Sequence, residues 1–330
     1  MRSSEIDAST IPNERAVEPA EWLPLDLFSS PSKLKEGLAK VGYLADDRIA
    51  STVFLAARLG KPILVEGPAG VGKTELAKAT ARLIGRKLIR LQCYEGLDES
   101  KALYEWNYKK QLLRIEVAKL DRTNNGEKDG GDTVAPSSWH ELEDDIFSEN
   151  FLLERPLMAA IRALEPVVLL IDEIDRVELE TEALLLEVLS DYQISVPELG
   201  TINAKTIPLV FLTSNNSREL SEALKRRCLY LHIDYPDHER EEQIIAVNVP
   251  GISERLSKQV AKVVGLLRSM DLKKAPSVSE TIDWARTLVL LSIESVNAEI
   301  AKDSLHVLLK YRSDIDKVAK RLQSDDSFVA

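Results

Sequence analysis

Residues 61–85 read KPILVEGPAGVGKTELAKATARLIG, and the order of residue types in this stretch decides the fold class. The apolar run before Gly67 has the length and composition of a strand buried on both faces. Residues 67–74, GPAGVGKT, match G-x-x-x-x-G-K-[ST], and KTELAKATARLIG continues at helical spacing to Gly85. Strand, glycine-rich turn and helix in that order make a phosphate cradle. The small residues of Gly67, Pro68, Ala69, Gly70, Val71 and Gly72 let the backbone approach an anion, which amide N–H groups and the helix dipole then hold. Lys73 is expected to reach the β- and γ-phosphates of a bound nucleotide and the Thr74 hydroxyl to bind Mg²⁺, with Glu75 completing the nucleotide-binding set.

Outward from this unit, KLIRLQC, PVVLLIDE, PLVFLTSNN and CLYLHID read as further strands, separated by helical stretches such as DDRIASTVFLAARLG and ETEALLLEVLSDY. Strands alternating with helices predict a doubly wound parallel α/β sheet with ligands at the strand carboxyl ends. Two β-hairpin inserts are expected. One is ALYEWNYKKQLLRIEV turning at Asn107, and the other is QISVPELGTINAKTI turning at Leu199-Gly200. ENFLLERPLMAAIRALE returns to helical spacing. After Asp237 strand signals stop, and SERLSKQVAKVVGLLRSM together with residues 280–322 reads as an all-helical domain. The expected division is a flexible acidic leader (1–35), an α/β core (36–250) carrying an acidic insert (121–150), and a helical lid (251–330).

Charge and composition narrow the function. The chain has 330 residues with 43 Lys and Arg against 54 Asp and Glu, a net charge of −11 that repels polyanions and argues against broad nucleic-acid binding. Apolar residues at 44% and charged residues at 29% are ordinary globular usage. The longest apolar run, 166–171, is far short of the ~20 residues that span a bilayer, so no transmembrane segment is expected. The amino terminus lacks the basic start and apolar core of a signal peptide, which predicts a cytoplasmic protein. Cys93 and Cys228 form no CxxC pair and four scattered histidines offer no ligand spacing, so structural zinc is not expected and both thiols read as buried.

Chemistry gathers at strand ends. VVLLIDEID ends a strand in the adjacent carboxylates Asp172 and Glu173, which are costly beside an apolar run unless partnered. Mg²⁺ would partner Asp172, and Glu173 would polarise the attacking water. The competing reading is a helix N-terminal charge, for which Asp175 is the more natural occupant. Asn215 ends the strand FLTSNN, where its amide could orient the same water, although Asn also ends strands by turning. ALKRRC carries Lys225, Arg226 and Arg227, either a solvated basic face or an arginine finger acting on a neighbouring subunit.

Phosphate loop, strand-terminal Asp-Glu, strand-terminal Asn, arginines before the last strand and a helical lid together resemble an AAA+ ATPase over about residues 36–325. The two inserts resemble the MoxR branch. Within it, LQCYEGLDESKALYEWNYKKQLL, ELEDDIFSENFLLERPL and LKRRCLYLHIDYP are similar to the CoxD-type accessory ATPases of carbon monoxide dehydrogenase maturation. The resemblance implies that residues 67–74 are the Walker A loop, Asp172 and Glu173 the Walker B pair, Asn215 sensor 1, and Arg227 the arginine finger with Arg226 as the second choice. It implies that Tyr43 contacts adenine. Relatives carry a phosphate-contacting Arg at the start of the lid helix, whereas PSVSETIDWAR offers Ser279, Glu280 and Asp283 there and no cation before Arg286. Either Arg286 reaches over or that contact is missing.

The activity implied is that of an ATP-driven remodelling chaperone, a homo-oligomeric hexameric ring. Its client would be a metalloenzyme, with a von Willebrand factor A domain protein as partner. The alternatives are a DNA motor or loader, which would need a basic stripe where KYRSDIDKVAKR is interleaved with acids, and a small-molecule phosphotransferase, which would not need the arginine pair. Trp106, Tyr108 and Leu199 near the hairpin tips are candidate partner grips, with local packing as the competing reading.

Overall fold

The computed structural model describes residues 19–124 and 145–324. Its main sheet is built from β1 (Ile63–Glu66), β2 (Lys87–Gln92), β5 (Val167–Asp172), β8 (Leu209–Ser214) and β9 (Leu229–His232), in the order β2-β5-β8-β1-β9. Every pairing in it is parallel. Two short antiparallel pairs lie outside it: β3 (Tyr104–Trp106) with β4 (Leu152–Glu154), and β6 (Gln193–Val196) with β7 (Gly200–Asn203).

Strand alternation divides the core into two layers. In β5, Val167, Leu169 and Ile171 enter the cluster that includes Leu157, Met158 and Leu185, whereas Val168 and Leu170 face the cluster built by helices Asp47–Leu59 and Lys73–Ile84. All six residues of β5 are buried, as expected of a strand with both faces covered. Past β9 the described chain is helical from His238–Asn248 to Arg312–Ser324, and Trp284, Val260, Val264 and Leu305 anchor a third cluster there. This is an α/β P-loop core followed by a helical C-terminal region.

The sequence-based expectations need four corrections. The first concerns the hairpin at Asn107. Residues 108–124 form a helix, and Asn107 caps it, its Oδ1 accepting from the Lys110 N–H at 3.1 Å. Tyr104–Trp106 instead pairs across the insert with Leu152–Glu154, Trp106 opposite Leu152, and the Asn107 N–H donates to the Phe151 carbonyl at 2.8 Å. The stretch 149–165 is accordingly not one helix: a 3₁₀ turn and β4 precede the short helix Pro156–Ile161. Three-residue strands hold too little alternation to be read as strands.

The second correction concerns the leader. Residues 19–35 are packed, with Leu23, Phe28 and Leu34 buried and Trp22 Nε1 donating to the Ile207 carbonyl at 3.2 Å. A few well-spaced apolar anchors outweigh an acidic average; residues 1–18 lie outside the described residues. Of the acidic insert, residues 125–144 also lie outside them, while residues 121–124 continue the helix Tyr108–Asn124.

The third correction is Trp106. It is 8% exposed, within the core, and packs edge-to-face on Phe147 at 5.4 Å and on Tyr104 at 6.4 Å between ring centroids. Its role is local packing, and Leu199 is half-buried against the same cluster. Of the three candidate grips only Tyr108 is well exposed, at 62%. Trp106→Ala is therefore expected to destabilise the fold by about 3–5 kcal/mol, the usual cost of truncating a buried aromatic. A fall in the urea midpoint checks this, and an unchanged midpoint would return Trp106 to the surface.

The fourth is Cys228, which is only half-buried, unlike Cys93 at 1% exposure. Burial pushes each thiol up to about 12. Neither is a reactive thiolate at neutral pH.

Candidate nucleotide site

Gly67 to Gly72 leave the end of β1 and turn into helix Lys73–Ile84, with Gly72 as N-cap in the left-handed region (φ 96°). Two glycines there are required by close approach. A Cβ on Gly67 would sit 1.9 Å from the Ile233 carbonyl oxygen, and one on Gly70 would sit 2.3 Å from the Ser277 Cβ at the start of lid helix Val278–Leu290. The lid thus rests directly on the phosphate loop.

Lys73 is 6% exposed, and its ammonium donates to the carbonyls of Gly67 and Pro68 (both 2.7 Å) and to Asn215 Oδ1 (2.9 Å). Burial pulls its pKa below the ordinary value, opposed by the charges of Asp175, Asp172 and Glu173. The Thr74 hydroxyl donates to Asp172 Oδ1 at 2.9 Å. Lys73, Thr74, Asp172, Glu173 and Asn215 line one cavity of about 270 Å³, together with Ser279 of the lid. The ends of β1, β5 and β8 lie side by side in the sheet, which is what brings these residues together.

A second cavity of about 370 Å³ adjoins it between core and lid, lined by Tyr43, Gly70, Gly72, Glu75, Arg240 and Arg286 among others. Tyr43 is 8% exposed, and burial pushes its hydroxyl above the ordinary phenol range. Arg286 lines this cavity, its guanidinium donating to the Asn248 carbonyl at 3.2 Å, and does not line the phosphate-side cavity. Ser279 is the lid residue that lines both. Arg226 and Arg227 are exposed and line neither; Arg227 bonds Ser190 Oγ (2.5 Å) and the Ala223 carbonyl (3.1 Å) within its own chain.

Several residues at the site escaped the sequence reading. Thr213 Oγ1 donates to Asp172 Oδ1 at 2.5 Å and accepts the Glu173 N–H at 2.9 Å. Arg90 on β2 grips Asp172 Oδ2 through Nε (3.0 Å) and Nη2 (2.5 Å). Gln92 and Arg176 reach Glu173 Oε2 at 3.3 and 2.8 Å. Arg240 pairs with Asp46 at 2.7 Å and donates to the Leu44 carbonyl at 3.0 Å, fixing the segment beside Tyr43. A basic residue flanked by apolar ones within a strand was the one available signal for Arg90.

Asp175 lies in the first turn of the 3₁₀ helix Ile174–Arg176, a helix N-terminal charge as the competing reading had it, and its carboxylate also ties the Glu173 turn to the Asn215 loop. Its Oδ2 accepts from the Asn215 and Ser217 N–H groups and the Ser217 hydroxyl at 3.2, 2.9 and 2.6 Å. Burial alone would raise its pKa, but these donors outweigh it and hold the carboxyl below the ordinary range. Glu173 itself sits in the left-handed region (φ 59°), a conformation that costs a non-glycine residue about 1–3 kcal/mol and recurs at functional sites.

The donor set suits Mg²⁺. One carboxylate oxygen and one hydroxyl, both hard, converge beside the cavity at the phosphate loop, and Mg²⁺ characteristically takes one or two protein oxygens plus substrate phosphates. Among the described residues no cluster of three or more His, Cys, Asp or Glu could hold a metal by itself. No helix among them is long and apolar enough to cross a membrane.

The family model described as an AAA domain of the dynein-related subfamily matches residues 62–228 of this chain, half of its length. An uncharacterized protein of Staphylococcus aureus (strain bovine RF122 / ET3-1) is 26% identical over 261 residues, covering 74% of this chain and 86% of that protein, and its counterpart in strain USA300 is 25% identical over the same length and shares. Among solved structures, a RuvB point mutant of Thermotoga maritima is similar at TM-score 0.45 and 19% identity. It covers 87% of this chain and 73% of that one. The T. maritima RuvB Holliday junction branch migration motor is similar at TM-score 0.42 and 18% identity with the same coverage.

Proposed function

We propose, on the premise that this chain belongs to the AAA domain family in its dynein-related subfamily, that it is a Mg²⁺-dependent ATPase working as a remodelling chaperone of the MoxR type. It acts in the cytoplasm as a homo-oligomeric, hexameric ring on a client metalloenzyme, with a von Willebrand factor A domain protein as partner. The CoxD-like runs point to a molybdenum hydroxylase, such as carbon monoxide dehydrogenase, as the client class.

The ATPase reading is carried by one observation: Lys73, Thr74, Asp172, Glu173 and Asn215 line a single cavity at the phosphate loop. The chaperone reading rests on the resemblance and on a net charge of −11, which disfavours a polyanionic substrate.

In this reading Lys73 exchanges its two loop carbonyls for the β- and γ-phosphates, and the loop amides hold the remaining anionic oxygens. Thr74 and Asp172 would hold Mg²⁺, which supplies neutralisation of developing phosphate charge. Glu173 orients and deprotonates the attacking water, and Asn215, tied to both Lys73 and the Asp175 loop, reports loss of the γ-phosphate to β8. Tyr43 and Arg286 flank the base and ribose, and Arg227, or failing it Arg226, serves the neighbouring subunit.

Titration of a fluorescent ATP analogue tests the reading. Wild-type protein is expected to bind it and Lys73→Ala to lose binding, because an unreplaced ammonium leaves the phosphates without their main counter-charge. Equal binding by both proteins would sink the assignment. Ring formation predicts that specific ATPase activity rises steeply with protein concentration, and a flat profile would favour the small-molecule phosphotransferase reading.

A further inference from the structure

We propose that Arg90 is the positioning residue of the metal site, a guanidinium clamp that fixes the plane of the Asp172 carboxylate so that Oδ1 alone is presented to Thr74 and an incoming Mg²⁺. This rests on the ATPase reading above and extends it to a strand, β2, that carries none of the phosphate-binding residues.

The partition of Asp172 carries the argument. Its side chain is 3% exposed, and its two oxygens are served by different elements. Oδ1 accepts from Thr74 Oγ1 and Thr213 Oγ1, whereas Oδ2 accepts from Arg90 Nε and Nη2, two donors of one planar fork. The Asp χ2 torsion is broad and nearly two-fold, so a carboxylate held at one oxygen can turn about its axis. The fork removes that freedom at the second oxygen. It also pairs a charge that would be costly when buried alone.

Arg90 is itself held in place. Its Nη2 also donates to Gln92 Oε1, two residues along the same face of β2, and its side chain is 44% exposed at the strand end. Only arginine offers two donors of a rigid planar fork converging on one oxygen; lysine supplies the charge without the fork. Outer partners of metal-ligating carboxylates typically contribute 10–100-fold in metal affinity.

Mn²⁺ binding to the ADP-loaded protein, followed by loss of the free Mn²⁺ resonance, tests the assignment on the full chain. Arg90→Met and Arg90→Lys are each expected to weaken Mn²⁺ about 10–100-fold, while ADP binding in EDTA stays at the wild-type value and certifies the fold. Wild-type Mn²⁺ affinity in Arg90→Met, or tighter binding, overturns the proposal. Full rescue by Arg90→Lys also overturns it, because charge rather than the fork would then suffice. If Arg90→Met fails the EDTA control, Arg90→Gln, which keeps a planar end without the charge, is read against the same criterion. Wild-type protein that binds no ADP in either condition overturns the ATPase reading, and this one with it.

Discussion

Glu173→Gln is expected to keep ATP bound and to lose turnover by about 10²- to 10⁴-fold, the usual contribution of a positioned general base. The amide preserves the shape of the side chain and the hydrogen bond from Gln92, but it cannot take a proton from water. The backbone supports this separation of binding from chemistry. The Glu173 N–H is anchored on Thr213, and Lys73, the proposed phosphate ligand, makes its own contacts without Glu173. Single-turnover hydrolysis beside equilibrium ATP binding checks the result. Hydrolysis at the wild-type rate would move the base to another residue. The same variant, held in its ATP state, is the form in which the proposed client would be captured.

Arg227→Ala should leave nucleotide affinity nearly intact and slow hydrolysis by ~10³-fold or more if the guanidinium acts on a neighbour's γ-phosphate. Within its own chain Arg227 is exposed at the end of helix Glu222–Arg227, bonded to Ser190 and Ala223 and away from both cavities. Mixing Arg227→Ala with Lys73→Ala should restore part of the activity, since an intact loop can then meet an intact finger. Mixed rings without rescue would contradict a shared site. A defect seen only in Arg226→Ala would shift the finger by one residue.

Much of the site was readable because its chemistry is local. Residues 67–75 are consecutive, so strand, turn and helix follow from neighbouring residues, and the structure has β1, the loop and helix Lys73–Ile84 where the spacing puts them. Asp172 ends one fully buried strand and Asn215 directly follows another, and the apolar runs of these strands announce them. The second hairpin, β6 with β7, was legible for the same reason. The first was not. Tyr104–Trp106 has no usable period, and Asn107 can equally turn a hairpin or cap a helix until the partner strand is known.

The sequence by itself determined the parallel α/β core, the phosphate loop with Lys73 and Thr74, and the Asp172–Glu173 pair, because each is set by periodicity or by covalent neighbours. Tertiary structure alone decided what those residues touch. Arg90 meets Asp172 from 82 positions away, Thr74 meets it from 98, and Arg240 reaches Asp46 from 194. It also decided that Trp106 is core and that the lid rests on Gly70. Contacts of that kind depend on which strands become neighbours in the sheet and on how the C-terminal helices pack against them. A chain's local pattern specifies its elements, but the pairing of distant polar groups is selected only when those elements pack and each buried charge must find a partner.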